Sequence, residues 1–148
     1  SKNWELAVSQ SKIDDSKTVI LMTHSKDSVP GRFKKQAIPT LIIRCLEKTT
    51  SIYINFDGLF MSDSSGHGKV TFRIDKDKPF VQSFGVSNDY KALGLWNGGT
   101  AIPFIKKLVN GETLIAQATP FNESSVMMTF DISNLEKEIE PLRKACKW

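Results

Sequence analysis

The stretch Pro39–Phe56, PTLIIRCLEKTTSIYINF, carries the fold in its spacing. A proline has no N–H to give to a sheet, so it opens a strand rather than sitting in the middle of one, and a strand is predicted over Thr40 to Glu47. Its nearly continuous apolar run suits a central strand covered on both faces. Lys48-Thr49-Thr50 is short and polar, and Ser51 to Phe56 then alternates, with Ile52, Ile54 and Phe56 on one face. Together these residues predict an antiparallel hairpin inside a β-rich domain, with Cys45 in its core sheet.

Toward the amino end, Trp4 to Val8 (WELAV) alternates like a half-buried strand, the polar run Ser9 to Ser16 ends it, and Thr18 to Thr23 follows as a second strand. Toward the carboxyl end, Asp57 to Gly68 (DGLFMSDSSGHG) reads as a strand end and an exposed loop. Val70, Phe72 and Ile74 form the next strand. Pro79 interrupts, and Phe80 to Val86 and Ala92 to Trp96 flank an Asn88-Asp89 turn. Thr113 to Thr119 and Val126 to Ile132 are the last strands. Two segments have helical spacing. In Thr100 to Gly111, Thr100 is the expected cap, Pro103 sits in the first turn, Ala101, Ile105 and Leu108 share a face, and Gly111 stops the helix. In the tail, Ser133 with Glu136 makes an S-x-x-E capping box, and Leu135, Ile139, Leu142 and Cys146 share a face that Pro141 should kink or restart. The sum is mainly β: a β-sandwich or small barrel of about nine short strands with two short helices, one C-terminal, in a single domain over residues 1–148.

Composition excludes several function classes. The 148 residues are 40% hydrophobic and 24% charged, which suits one folded domain and not a disordered or low-complexity chain. Apolar runs such as Val19-Ile20-Leu21-Met22 are far shorter than the ~20 residues of a membrane span. Twenty Lys and Arg against sixteen Asp and Glu leave +4, and the signs mostly alternate, which argues for solubility and against nucleic acid. The densest basic run, Lys26 to Lys35, reads first as a solvated loop around its Pro30-Gly31 turn.

Two cysteines occur, Cys45 in the central strand and Cys146 near the end, neither at metal-ligand spacing. A single long-range disulfide in an oxidising compartment accounts for both; two buried, reduced thiols in a cytosolic protein are the alternative. The opening Ser1-Lys2-Asn3-Trp4 has no initiator Met, as when a signal peptide has been removed, and an expression scar would look the same.

Catalytic chemistry finds few candidates. His24 and His67 lie outside any nucleophile elbow, and Ser-rich loops around a lone His are far more often solvated turns than active sites. Asp14-Asp15 before Ser16 reads as a side-chain-capped turn, and Asp75 with Asp77 is a carboxylate pair without an EF-hand pattern. No phosphate-cradling loop is present. Neither catalytic residues, nor a metal, nor a cofactor are assigned. The aromatics Phe56, Phe72, Phe80, Phe84, Trp96, Phe104, Phe121 and Phe130 are assigned to the core, as are Met127 and Met128.

In order along the chain, Trp4, the turn Ile13-Asp14-Asp15-Ser16, the strand Pro39-Thr40-Leu41-Ile42-Ile43-Arg44-Cys45, Tyr53-Ile54, Phe130-Asp131-Ile132, Leu142 and the terminal Cys146-Lys147-Trp148 resemble the VasI/TagO family. These are accessory proteins associated with bacterial type VI secretion and also met in prophage-like settings. The resemblance implies an exported protein of the Gram-negative periplasm or envelope with paired cysteines; it does not imply an enzyme, and no active residue is carried over from it. The expected function is a non-enzymatic binding module for an envelope or secretion-system protein. Loops at one end of the sandwich are the expected contacts: Arg32, Lys34 and Lys35; Ser65 and His67 in Ser62 to Gly68; and Asn97 in Asn97 to Thr100. An inhibitor of a cell-wall hydrolase, with His67 as the inserted probe, is the alternative. An enzyme built on Asp75 and Asp77 ranks below both.

Overall fold

The computed structural model describes residues 3–148; Ser1 and Lys2, where the sequence suggests the end left by a removed leader, lie outside the described residues. Two antiparallel sheets share one core. The larger has six strands in the order β1-β2-β5-β6-β10-β9, and the smaller has four in the order β12-β11-β7-β8. The larger comprises β1 (Glu5–Gln10), β2 (Lys17–His24), β5 (Thr40–Leu46), β6 (Thr49–Asn55), β9 (Gly85–Val86) and β10 (Ala92–Leu95). The smaller comprises β7 (Lys69–Ile74), β8 (Phe80–Ser83), β11 (Thr113–Ala118) and β12 (Val126–Asp131). Val29–Pro30 (β3) and Gln36–Ala37 (β4) form a separate two-stranded ribbon. The sheets face each other as a sandwich, and neither closes into a barrel.

The hairpin over Pro39–Phe56 stands at the centre, with Ile43 opposite Ile52 and Cys45 opposite Thr50. Leu41, Ile43, Cys45, Ile52, Ile54 and Phe56 share one buried core with Phe72, Leu114, Ala116, Met128 and Phe130 of the smaller sheet, and the helix Gly98–Leu108 packs on β6 and the tail helix Glu140–Cys146 on β5. Burial on both faces of β5 does not hold: Ile42 and Arg44, on the outer face, are only half-buried. The smaller sheet and the helices all contribute their buried residues to the inner face, which leaves the outer face of the six-stranded sheet without a layer of its own.

The first strand also departs from expectation. All of β1 is exposed, Leu6 at 47% and Val8 at 54%, because it is the sheet edge and lies beyond the reach of the opposing layer. Only Trp4 turns inward, its indole N–H donating to Ser133 O at 3.1 Å. The strand expected over Phe80 to Val86 is two strands in different sheets. The buried Phe84 is the crossing point, its N–H bonding Gly68 O, so the chain leaves the small sheet at Ser83 and joins the large one at Gly85. That division and the short ribbon raise the strand number from nine to twelve among the described residues. The loop after Asp57 is less exposed than expected, since Leu59 and Met61 are buried.

The helices correct two caps. In α1 (Gly98–Leu108) the cap is Asn97, whose side chain accepts from Thr100 N, and Thr100 lies inside the first turn. Ala101, Phe104, Ile105 and Leu108 fill the core, and the ring of Phe104 meets those of Phe72, Phe80 and Phe84 at 5.0, 6.2 and 5.6 Å. The tail is two helices, α2 (Leu135–Glu138) and α3 (Glu140–Cys146), restarting at Pro141 as its ring requires. The Ser133–Glu136 capping box does not form. The Ser133 hydroxyl donates to Asp131 Oδ1 at 2.7 Å instead, and Asn134 takes the cap position in the left-handed region at φ 65°. No helix among the described residues is long and apolar enough to cross a membrane.

Candidate functional site

The disulfide Cys45–Cys146 is present, closing a sequence separation of 101 residues. It ties α3 to the central strand of the large sheet.

Two of the three expected contact loops meet. The Arg32 guanidinium carbon lies 4.8 Å from the Phe60 ring and 5.6 Å from that of Phe33, and Phe33 and Phe60 are edge-to-face at 5.9 Å. Phe121 N bonds Phe60 O, and His67 packs edge-on to Phe121 at 6.3 Å. Phe60, Met61, Ser62, Tyr90 and Phe121 line a recess of ≈ 270 Å³ there. Phe33 is 76%, Tyr90 56% and Phe121 46% exposed, so Phe121 is a surface aromatic and not a core one. Met127, 56% exposed, likewise leaves the core that Met128 occupies.

Around this cluster the expected residues have separate fates. Lys34 is held by Asp57, Nζ to Oδ2 at 2.8 Å, and the same oxygen accepts Ile38 N. Burial pushes the Asp57 carboxyl up, but the hydrogen bonds from Lys34 and Ile38 outweigh it and leave the group below the ordinary carboxylate value. Lys35 is exposed and its carbonyl accepts Gly31 N. Ser65 is exposed in a turn at φ 53°. His67 is half-buried against Phe121 and so does not project as a finger. Asn97 stands apart: it follows Leu95, which pairs with Ile52 toward the disulfide end, whereas Tyr90 and Asp57 flank the opposite end of the same strands. Its side chain is spent on the helix cap.

The carboxylates serve the fold. Asp14 Oδ1 accepts both the hydroxyl and N–H of Ser16, as the sequence suggests, and these bonds lower its pKa. Asp75 Oδ1 accepts Glu112 N and Thr113 N, fixing the start of β11, while Asp77 offers its carbonyl to Arg73. His24 Nδ1 lies 2.7 Å from Thr40 Oγ1, and its Nε2 3.5 Å from Glu5.

A second concavity, of ≈ 620 Å³, lies on the outer face of the large sheet. Arg44, Tyr53, Asn55 and Trp96 line it, with Ser87, Asn88 and Asp89 from the turn after β9. Tyr53 and Trp96 stack at 4.9 Å and 24°, and the Arg44 guanidinium carbon is 5.3 Å from the Tyr53 ring. Trp96, assigned to the core from sequence, is half-buried on this face, its N–H bonding Gly85 O at 2.8 Å. Strict alternation along β5 and β6 marks these residues: Arg44 and Tyr53 have the parity opposite to Cys45 and Ile52.

The architecture defines a disulfide-stapled antiparallel β-sandwich with one uncovered sheet face. The type VI secretion system VasI, EvfG family model matches residues 1–148, and the chain belongs to that family. The crystal structure of invasion associated protein B from Bartonella henselae is similar in fold, with a TM-score of 0.60 at 10% identity, covering 98% of this chain and 93% of that one. No curated protein matches the chain.

Proposed function

We propose that the protein is a non-enzymatic binding module working in the periplasm or cell envelope of a Gram-negative bacterium, to which a signal peptide exports it, as an accessory of type VI secretion or of a phage–host envelope interaction. The family match supports the secretion context. The disulfide supports an oxidising compartment. One observation carries the binding role: Arg32, Phe33, Phe60, Tyr90 and Phe121 gather at one end of the sandwich with three of the four aromatics largely exposed. Arg and large aromatics are the residues that dominate protein interfaces, and single monomers rarely leave several of them together in water.

Capture from envelope extract tests the reading, comparing the protein with Arg32→Glu and Phe33→Ser variants. Recovery of a component of the secretion apparatus by the parent, and its loss with either variant while the thermal midpoint is unchanged, is the expected result. Equal recovery by the variants overturns it. Stoichiometric inhibition of a cell-wall hydrolase by the parent would replace it with the inhibitor function, and hydrolysis of a cell-wall substrate lost in Asp75→Asn would replace both.

A further inference from the structure

The concavity on the outer sheet face goes beyond the loop cluster, and its most unusual member is Arg44. Arg73 spends its guanidinium on the carbonyls of Lys76 and Asp77, and Arg143 on Glu140 and the carbonyl of Trp148. Arg44 meets no oxygen among the described residues, and its Nε is enclosed without an acceptor. An N–H donor withdrawn from water without an acceptor is costly, and here it belongs to a cation whose outer end faces the concavity. The side chain is nonetheless held in place. Tyr53, on the strand between β5 and β10, lies under the guanidinium and stacks on Trp96, and the Trp96 bond to Gly85 O fixes the indole. Gly94, between them, has no room for a side chain, because a Cβ would collide with that of Tyr53. The stack is therefore built into the sheet, one residue from the disulfide that anchors β5.

We infer that Arg44 is the anion-recognising residue of a ligand site in this concavity, and that its ligand is a small polar molecule bearing a carboxylate. The Arg44 guanidinium, 5.3 Å from the Tyr53 ring centre, has N–H groups with no acceptor among the described residues, and a planar guanidinium takes a planar carboxylate in two parallel bonds. Phosphate fits less well. It would bring a second negative charge to a site with one cation and with the Asp89 carboxylate on its wall. The rest of the lining is mixed, with Val86 and Ala92 beside polar groups: Asn55 Oδ1 already accepts Asp57 N, which leaves its amide N–H groups to donate, and Ser87 and Asn88 lie on the turn after β9. The volume falls within the range of ordinary small-ligand sites, roughly 300–1,000 Å³. The same carboxylate can belong to an acidic sugar or to the C-terminus of a short peptide.

The test is a titration of isotope-labelled protein, reading the side-chain N–H signals of Arg44 and of the three indoles. One arm uses glucuronate against methyl glucoside. The other uses acetyl-Ala-Ala against its C-terminal amide. Inorganic phosphate is titrated in parallel. The inference expects saturable shifts of Arg44 Nε and Trp96 Nε1 with one carboxylate probe and not with its neutral counterpart. Trp4 and Trp148 stay unmoved, since neither lines the concavity and their indole N–H groups bond Ser133 O and Thr50 Oγ1. Arg44→Gln is expected to weaken binding roughly tenfold or more, with the Trp4 and Trp148 signals reporting an intact fold, and Asn88→Ala to weaken it on the same wall. The arm that binds names the source of the carboxylate. Equal shifts with the neutral probes, tighter binding of phosphate, undiminished binding by Arg44→Gln, or no shift with either carboxylate overturns the assignment.

Discussion

The indole N–H of Trp148 donates to Thr50 Oγ1 at 2.8 Å, and Thr50 is the cross-strand partner of Cys45. The terminal residues thus return to a single rung of the central hairpin twice, once by a covalent bond from Cys146 and once by a hydrogen bond from Trp148. Arg143 closes the arrangement, donating to the carbonyl of Trp148 and lying 5.0 Å over its ring. Leu142 is fully buried beside it, so the tail is part of the core and not an appendage.

Reducing the disulfide, or replacing both cysteines by Ala, is expected to destabilise the protein by about 2–5 kcal/mol. Closing a loop of roughly 100 residues is worth ~4.7 kcal/mol in the chain-entropy account, and Cys45 leaves a small hole at a fully buried position. Urea denaturation with and without reductant measures the difference. A change below about 1 kcal/mol would mean that the Trp148–Thr50 bond and Leu142 hold the tail unaided.

Phe104 is the aromatic on which the small sheet and α1 converge, in ring contact with Phe72, Phe80 and Phe84. Its replacement by Ala is expected to cost about 3–5 kcal/mol, because the three surrounding rings are anchored on β7, on β8 and at the crossing between the sheets and cannot close together over the hole. Thermal unfolding of the variant checks this. Phe33→Ala, at an exposed position, should stay within about 0.5 kcal/mol of the parent.

The strands were legible where side-chain alternation and burial coincide. Ile52, Ile54 and Phe56, and equally Val70 and Phe72, are all buried as their spacing requires. The Cys45–Cys146 pair followed from there being two cysteines and a tail with a helical face. What local pattern does not carry is which layer covers which face. WELAV alternates as well as any strand, yet it is an edge; Ile42 and Arg44 read as interior, yet face outward. Trp96 was placed in the core because hydrophobicity says nothing about parity across a sheet switch, and that switch at Phe84 depends on Gly68, sixteen residues earlier. The Ser133 capping box failed to a nearer acceptor, Asp131. Arg44, on the wall of the outer concavity, lies within the Pro39–Phe56 stretch, one residue from Cys45.

Gly94→Ala is expected to destabilise the protein by about 1–3 kcal/mol and to disturb the outer concavity in particular. The added methyl would drive into the Cβ of Tyr53 and the carbonyl of Ile52, so Tyr53 must tilt away from Trp96 or the β6–β10 pairing must open. Near-ultraviolet circular dichroism, sensitive to the stacked phenol and indole, should change while far-ultraviolet strand content holds. Gly99→Ala, whose Cβ would meet nothing closer than Asn97 Oδ1 at 3.4 Å, is the matched control.

Acid should weaken the junction between β12 and the helical tail through Asp131. Its carboxylate accepts the hydroxyl and the N–H of Ser133, and the hydroxyl bond, opposed by partial burial, holds its pKa below the ordinary value. A carboxyl whose folded-state pKa is depressed lends stability that is complete above its unfolded value near ~3.9, and that stability is lost as pH falls through the folded value. Asp131→Asn is therefore expected to be less stable than the parent at neutral pH, by about 1 kcal/mol or less because the group is within reach of water. The gap should narrow as pH drops below ~4, where the parent's own carboxyl becomes neutral. Denaturant midpoints of the two proteins across that range measure it; a gap that stays constant to the lowest pH would assign the effect to side-chain shape and not to charge.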